Sequence, residues 1–213
     1  MASRIIHLAV AEEIIKRENI DDVSRFRLGS ILPDAKIDSA LRAAPHFQIT
    51  LPGGLLTYDL SRWRKLFGER MLRDGLYLGY YLHLLQDMVY RNFMYALPRW
   101  DARIPENVRM LHSDYRKINR YIIESRGLVN SVPAPADFGS EELNLMFGFD
   151  LKRFLSELDA DFSIIQEGDY HFFTPQMADE FITLALEACM HELKALRYGL
   201  PLCDEYSMAW GKE

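Results

Sequence analysis

The sequence predicts an all-α fold, a single-domain helical bundle spanning residues 1–213 and built around one buried central helix over residues 76–97. Three observations carry this. The stretch LYLGYYLHLLQDMVYRNFMYAL is apolar on almost every side, the pattern of a helix enclosed by its domain. The flanking segments repeat apolar residues at helical spacing, and none shows the alternation of a half-buried strand. With 213 residues, 49% hydrophobic and 26% charged, the chain has globular composition and enough length to bury a substantial core.

Taken in order, Ser3 is an N-cap for a helix over residues 4–18, with Ile6, Ala9, Val10 and Ile14 at helical spacing and His7 on the same inner side. A polar turn over 19–22 leads into a short apolar segment, 26–34, which Pro33 stops by biasing Leu32 away from helix. A short helix is expected over 35–47. After the turn Pro52-Gly53-Gly54, another is expected over 58–68, and Asp74-Gly75 opens the central helix. Beyond Pro98, residues 105–126 form a long amphipathic helix through Val108, Leu111, Tyr115, Ile118 and Ile122. Residues 127–139, with Pro133 and Pro135, read as a loop able to move or to cover a site. Short helices over 141–146 and 151–158 follow. Thr174-Pro175 starts a last long helix that Gly199 and Pro201 end.

Composition narrows the function. Gln86, Asp87, Arg91 and Asn92 exclude a transmembrane reading of 76–97, because a charge at bilayer depth costs about 3 kcal/mol. The opening Met-Ala-Ser-Arg-Ile-Ile-His lacks the apolar run of a secretory signal, so a cytoplasmic location is expected. Cys189 and Cys203 form neither a disulfide framework nor a CxxC pair, in keeping with a reducing compartment. A net charge of −6 without a Lys/Arg run speaks against stable nucleic-acid binding.

The central helix nevertheless carries His83 and Asp87 on one stripe, bracketed by Tyr80 and Tyr90. A carboxylate removed from water must be hydrogen-bonded, paired, protonated or bound to a metal. A histidine and an aspartate at this spacing suit one metal ion. They equally suit a hydrogen-bonded pair inside a packed helix. The other polar residues are as ambiguous singly: His7 as a core histidine, Asp34 as a helix cap, His46 as a loop residue. Their occurrence together within apolar stretches favours a common site.

The series His7, Leu28-Gly29-Ser30-Ile31-Leu32-Pro33-Asp34, His46-Phe47 and Gly79-Tyr80-Tyr81-Leu82-His83-Leu84-Leu85-Gln86-Asp87 resembles the zinc-dependent phospholipase C family, all-α enzymes related to the fungal zinc-dependent single-strand nucleases. The likeness covers the first half of the chain, in motif order and spacing. It implies that Asp34, His46, His83 and Asp87 hold one Zn2+, with Asp87 bridging to a second ion that His7 helps to bind. Secreted members use their N-terminal tryptophan as a ligand, whereas here six residues precede His7. The family's later His-x-x-x-Asp/Glu pair is not repeated by His112, His171 or His191, and Glu187 and His191 have it reversed. The expectation is one ion, or two, zinc or another divalent transition metal, rather than a trinuclear cluster.

Such an ion lowers the pKa of bound water to about 7, so the expected activity is hydrolysis of a small-molecule phosphoester by a metal-bound hydroxide. Asp87, His112 and Arg91 are the candidate catalytic groups, His112 as acid/base or ligand and Arg91 as phosphate holder or neutraliser of Asp87. Tyr80 and Tyr81 read as core and wall. The alternatives are a histidine-aspartate-type phosphohydrolase, which normally has adjacent His-Asp where this chain has Gln86-Asp87, and a non-catalytic protein with a structural metal site or polar network.

Overall fold

A computed structural model of the chain describes residues 2–37 and 44–211. The protein is mostly helical, and among the described residues eight α-helices and one two-stranded sheet enclose a continuous apolar core. The axis is α4, Gly75–Tyr95, whose N-terminus Asp74 caps by accepting the Leu76 N–H at 2.9 Å. It is buried along nearly its whole length, as its all-round apolar sequence requires. Three helices cover it: α2 (Val23–Gly29), α3 (Leu60–Met71) and α8 (Pro175–Tyr198). Beside them lie α1 (Arg4–Ile15), packed against α8 and touching α4, and α5 (Pro105–Arg126), packed against α1. The short α6 (Glu142–Phe147) and α7 (Leu151–Ser163) complete the helices.

The tightest contact is between α2 and α4, and glycine makes it. A Cβ on Gly29 would lie 2.1 Å from the Leu76 carbonyl oxygen, and one on Gly79 would lie 2.4 Å from that of Phe26. The two backbones touch. The 3₁₀ turn Leu32–Asp34 follows directly from α2, so this contact delivers Ser30 and Asp34 to the same flank of α4 as His83.

Several boundaries differ from the sequence reading. Residues 48–50 and 56–58 pair as an antiparallel hairpin, β1 with β2, where no strand was expected. Three residues per strand are too few to show alternation; the turn Pro52-Gly53-Gly54, with φ of 88° and 83° at its glycines, is the part that was visible. Tyr58 therefore ends a strand, and α3 begins at Leu60 because Asp59 caps it, accepting the Arg62 N–H at 2.8 Å. Of the helix expected over 35–47, residues 38–43 lie outside the described residues. Its flanks are not helical: Ala35 is extended, Ile37 bridges to Phe149, and residues 45–46 turn. Within the apolar 26–34 segment a helix starts earlier, at Val23, capped by Asp22. The helix expected over 151–158 runs to Ser163, while α5 and α8 end at the left-handed Gly127 and Gly199 as their glycines indicated. Both cysteines are free. No described helix is long and apolar enough to cross a membrane.

The C-terminal tail folds back over the hairpin. Trp210 pairs with Leu56 through two backbone hydrogen bonds, 2.8 and 2.9 Å, and the Thr57 hydroxyl donates to the Glu205 carbonyl at 2.6 Å. Glu192 of α8, buried, accepts from the Tyr81 hydroxyl and from the Cys203 N–H, pinning the tail to the core.

The glycine contact generates an opposite-sign pair of expectations. Gly79→Ala forces a methyl group into fixed backbone and should destabilise the protein by about 3 kcal/mol or more in urea unfolding. Gly68→Ala, in α3 with nothing within 4 Å of the added carbon, should be neutral or stabilising by up to about 1 kcal/mol. A tolerated Gly79→Ala contradicts the backbone contact.

Candidate metal centre

Four elements bring polar side chains to one buried point. Helix α4 contributes His83 and Asp87 on adjacent turns, α1 contributes His7, the 3₁₀ turn contributes Asp34, and the turn before β1 contributes His46. Each is positioned by a backbone contact or a side-chain anchor. The Nδ1–H of His83 donates to the Ser30 carbonyl at 2.8 Å, a bond possible only because Gly29 and Gly79 let α2 approach α4 so closely. The Tyr80 hydroxyl, its ring stacked on Trp63 at 4.4 Å, donates to the Pro45 carbonyl at 2.5 Å and so holds the turn that presents His46.

With its proton on Nδ1, His83 turns the lone pair of Nε2 into the cluster. That atom lies 3.3 Å from His46 Nε2, 3.7 Å from Asp87 Oδ2 and 3.9 Å from Asp34 Oδ1. His46 Nε2 lies 3.4 Å from Asp34 Oδ1 and 3.5 Å from Asp87 Oδ2. Ligand bonds of about 2.0–2.2 Å in a tetrahedron separate the ligand atoms by about 3.3–3.6 Å, so the triads Asp34–His46–His83 and His46–His83–Asp87 each come near the spacing of ligands around one ion. On the other side of Asp87, Oδ1 accepts the Ala2 N–H at 3.2 Å and lies 3.4 Å from His7 Nε2. His7 stacks on His83 with ring centroids 3.9 Å apart, and its Nδ1 faces Gln86 Oε1 at 3.0 Å. Two groups thus have the proximity to hold a metal ion: Asp34, His46 and His83, and His7, His83 and Asp87.

Electrostatics sort the protons. Burial opposes ionisation of Asp87, yet the positive groups around it, His7 among them, hold its pKa well below the usual carboxylate range. Asp34 is likewise lowered, burial being outweighed by His83, His46 and His7. For His7, burial works against the charge, but the Asp87 carboxylate wins and its pKa is raised. For His83, burial and the neighbouring His7 push the pKa down to about 3. Without an ion, the cluster therefore keeps its two carboxylates charged, and His7 holds a proton more readily than His83. Asp34 Oδ1 and His7 Nε2 have no hydrogen-bond partner although buried. An orphaned buried acceptor beside a second carboxylate is an arrangement that a cation relieves.

Asp34 also lines a cavity of about 450 Å³ between α1, α4 and α5. Arg91, one turn past Asp87, reaches it, as do His112, Arg116 and Arg4. The remaining wall is mostly apolar, with Trp100, Val108 and Leu111. None of residues 127–139 lines it, so the loop considered as a cover lies elsewhere.

His7, Asp34, His46, His83 and Asp87 thus meet, and Arg91 lies beside them. His112 does not join them; it faces the same cavity from the exposed flank of α5, stacked on Tyr115, with its pKa lowered chiefly by burial. Glu187 and His191 are exposed on α8 and belong to neither group. Sequence reasoning did not find the supporting partners: the Ser30 carbonyl, the Ala2 amide, and Tyr58, whose hydroxyl donates to Asp87 Oδ2 at 3.5 Å. Main-chain groups leave no trace in a sequence, and Tyr58 lies in the hairpin that the reading missed. Gln86 did have a signal, as a buried amide next to Asp87.

Metal-free protein should therefore show two unlike histidines in long-range proton–nitrogen spectra. His83 remains the neutral Nδ1–H tautomer to below about pH 5, while His7 stays protonated above its ordinary 6.5. A His83 that titrates near 6.5 contradicts this arrangement. Compared with protein-family models, with curated proteins and with solved structures, the chain matches none.

Proposed function

We propose that this chain is a metal-dependent hydrolase of phosphoesters, with zinc the ion that two imidazoles and two carboxylates favour, as in the phospholipase C-like enzymes that its motif series resembles. The observation that supports it best is the convergence of Asp34, His46, His83 and Asp87 next to a cavity whose charged lining is rich in arginine. His83, tied through Nδ1 to a backbone carbonyl, has the outer partner typical of a metal-bound imidazole. An ion held there supplies Lewis acidity and water acidified to near neutral pH.

The chain's own groups divide the remaining work. Arg91 orients a phosphoryl oxygen at the cavity end of α4, where its planar fork fits that geometry. Asp87 holds its charge against burial and fixes the His7 and His46 rings around it. His112, neutral near pH 7 because burial lowers its pKa, is placed to take or give a proton at the far side of the cavity. The apolar wall limits water around the ester. A purely structural metal site is the second reading, favoured by the four protein ligands, which by themselves close a tetrahedron.

Metal analysis of the full chain together with hydrolysis of 4-nitrophenyl esters separates the two readings. The proposal expects one or two equivalents of zinc and turnover that His83→Ala abolishes along with the metal. Tyr80→Phe, which frees the turn before His46, should weaken zinc binding by about tenfold while unfolding free energy falls by about 1 kcal/mol. Bound zinc without turnover on any ester leaves the structural reading, and a chain that binds no divalent metal overturns both.

A further inference from the structure

Arg91 lies one turn past Asp87 on α4, the i, i+4 spacing at which an aspartate and an arginine on one helix reach each other. They do not pair. The Asp87 carboxylate lies within ion-pair distance of His7, His46 and His83, at 3.4, 3.5 and 3.7 Å, and among the described residues Arg91 does not join them. Attraction alone would close that gap, because Asp87 is fully enclosed and Arg91 is half-buried, where solvent screens opposite charges least.

Two aromatic side chains divert the guanidinium. Its carbon stands 5.5 Å from the centre of the Trp210 ring, a cation–π approach, while Tyr58 takes the place at the carboxylate, its hydroxyl donating to Asp87 Oδ2 at 3.5 Å. The two rings support each other. Tyr58 ends β2; Trp210 pairs with Leu56 of the same strand through two backbone hydrogen bonds and packs on the Tyr58 ring with centroids 4.8 Å apart. Asn92, next to Arg91, donates to the Met208 carbonyl at 2.9 Å and ties the same tail to α4. Trp210 is buried and does not line the cavity, so its ring serves Arg91 and Tyr58 rather than a ligand.

The consequence concerns the ion. A guanidinium seated on Asp87 would cover the carboxylate oxygen that a metal needs, and an arginine cannot shed its proton to make way. Held against an indole, it leaves that oxygen open.

We infer that Trp210 is a positioning residue of the metal centre: it holds Arg91 off Asp87, so that the carboxylate stays open to a cation and Arg91 stays at the cavity wall. The inference rests on the metal site of the reading above and not on the reaction.

Zinc affinity of the full chain, measured by competition with a chromogenic chelator, tests it, with urea unfolding run alongside. Trp210→Leu removes the aromatic face and should weaken zinc binding about tenfold, whereas Trp210→Phe keeps a face and should stay within about threefold of the unaltered chain. The double variant separates positioning from folding. If a freed Arg91 competes with the ion, adding Arg91→Met to Trp210→Leu restores affinity to within about threefold of the unaltered chain. Arg91→Met alone should bind zinc at least as tightly as the unaltered chain, since it removes a cation beside a cation site. A Trp210→Leu chain that loses unfolding free energy but no zinc affinity makes Trp210 a residue of the fold alone and overturns the inference. So does a loss that persists in the double variant, or an Arg91→Met chain that binds zinc more weakly. These outcomes leave the metal reading standing, whereas an unaltered chain that takes up no zinc overturns both.

Discussion

The backbone contact between α2 and α4 is the constraint on which the rest depends. Gly29 and Gly79 remove the side chains that would otherwise hold two helices 8–10 Å apart, the usual interaxial spacing. The consequence is chemical as well as mechanical. Ser30 lies at the end of the contact, where its carbonyl receives the Nδ1–H of His83 and so sets that ring's tautomer. The following 3₁₀ turn then has only a few residues in which to bring Asp34 to the same place. A helix crossing that looks like simple packing thus decides which nitrogen of a buried histidine presents its lone pair.

That lone pair sits in a cluster costly to keep without compensation. Asp87 and His7 are fully enclosed, and two carboxylates share the site with His7, whose pKa is raised. Buried charge is retained where it is paired or coordinates an ion, and Asp34 Oδ1 has no hydrogen-bond partner in the protein. The same account explains why Arg91 is at the boundary rather than inside: it balances Asp87 electrostatically while lining the cavity. Stability and a site for chemistry draw here on the same groups.

How much of this was legible depended on the range of the interaction concerned. Helices α4, α5 and α8 were readable because their signals are local: an apolar period, Asp74, Pro105 or Thr174-Pro175 at the start, Gly127 or Gly199 at the end. The hairpin was not, since strands of three residues carry no period and β2 is completed by Trp210 from the far end of the chain. For the site, His83 and Asp87 stood out as polar residues in an apolar helix, whereas Asp34 and His46 were suggested through family resemblance; the structure places them in two overlapping groups that share His83. Their partners, a Ser30 carbonyl, an Ala2 amide and the Tyr58 hydroxyl, arise from tertiary approach, which no local pattern encodes. His112 shows the limit of helical spacing as a guide: beside the buried stripe of α5, it faces the cavity and not the cluster.

The central claim, that Asp34, His46, His83 and Asp87 form a cation site with His7 beside it, is tested most directly by X-ray absorption at the zinc edge on protein titrated with one equivalent of metal. The account predicts a shell of mixed nitrogen and oxygen at about 2.0–2.2 Å, with the outer-shell scattering of two imidazole rings that His46→Ala reduces to one. A spectrum of oxygen alone, indistinguishable from hydrated zinc, would contradict it.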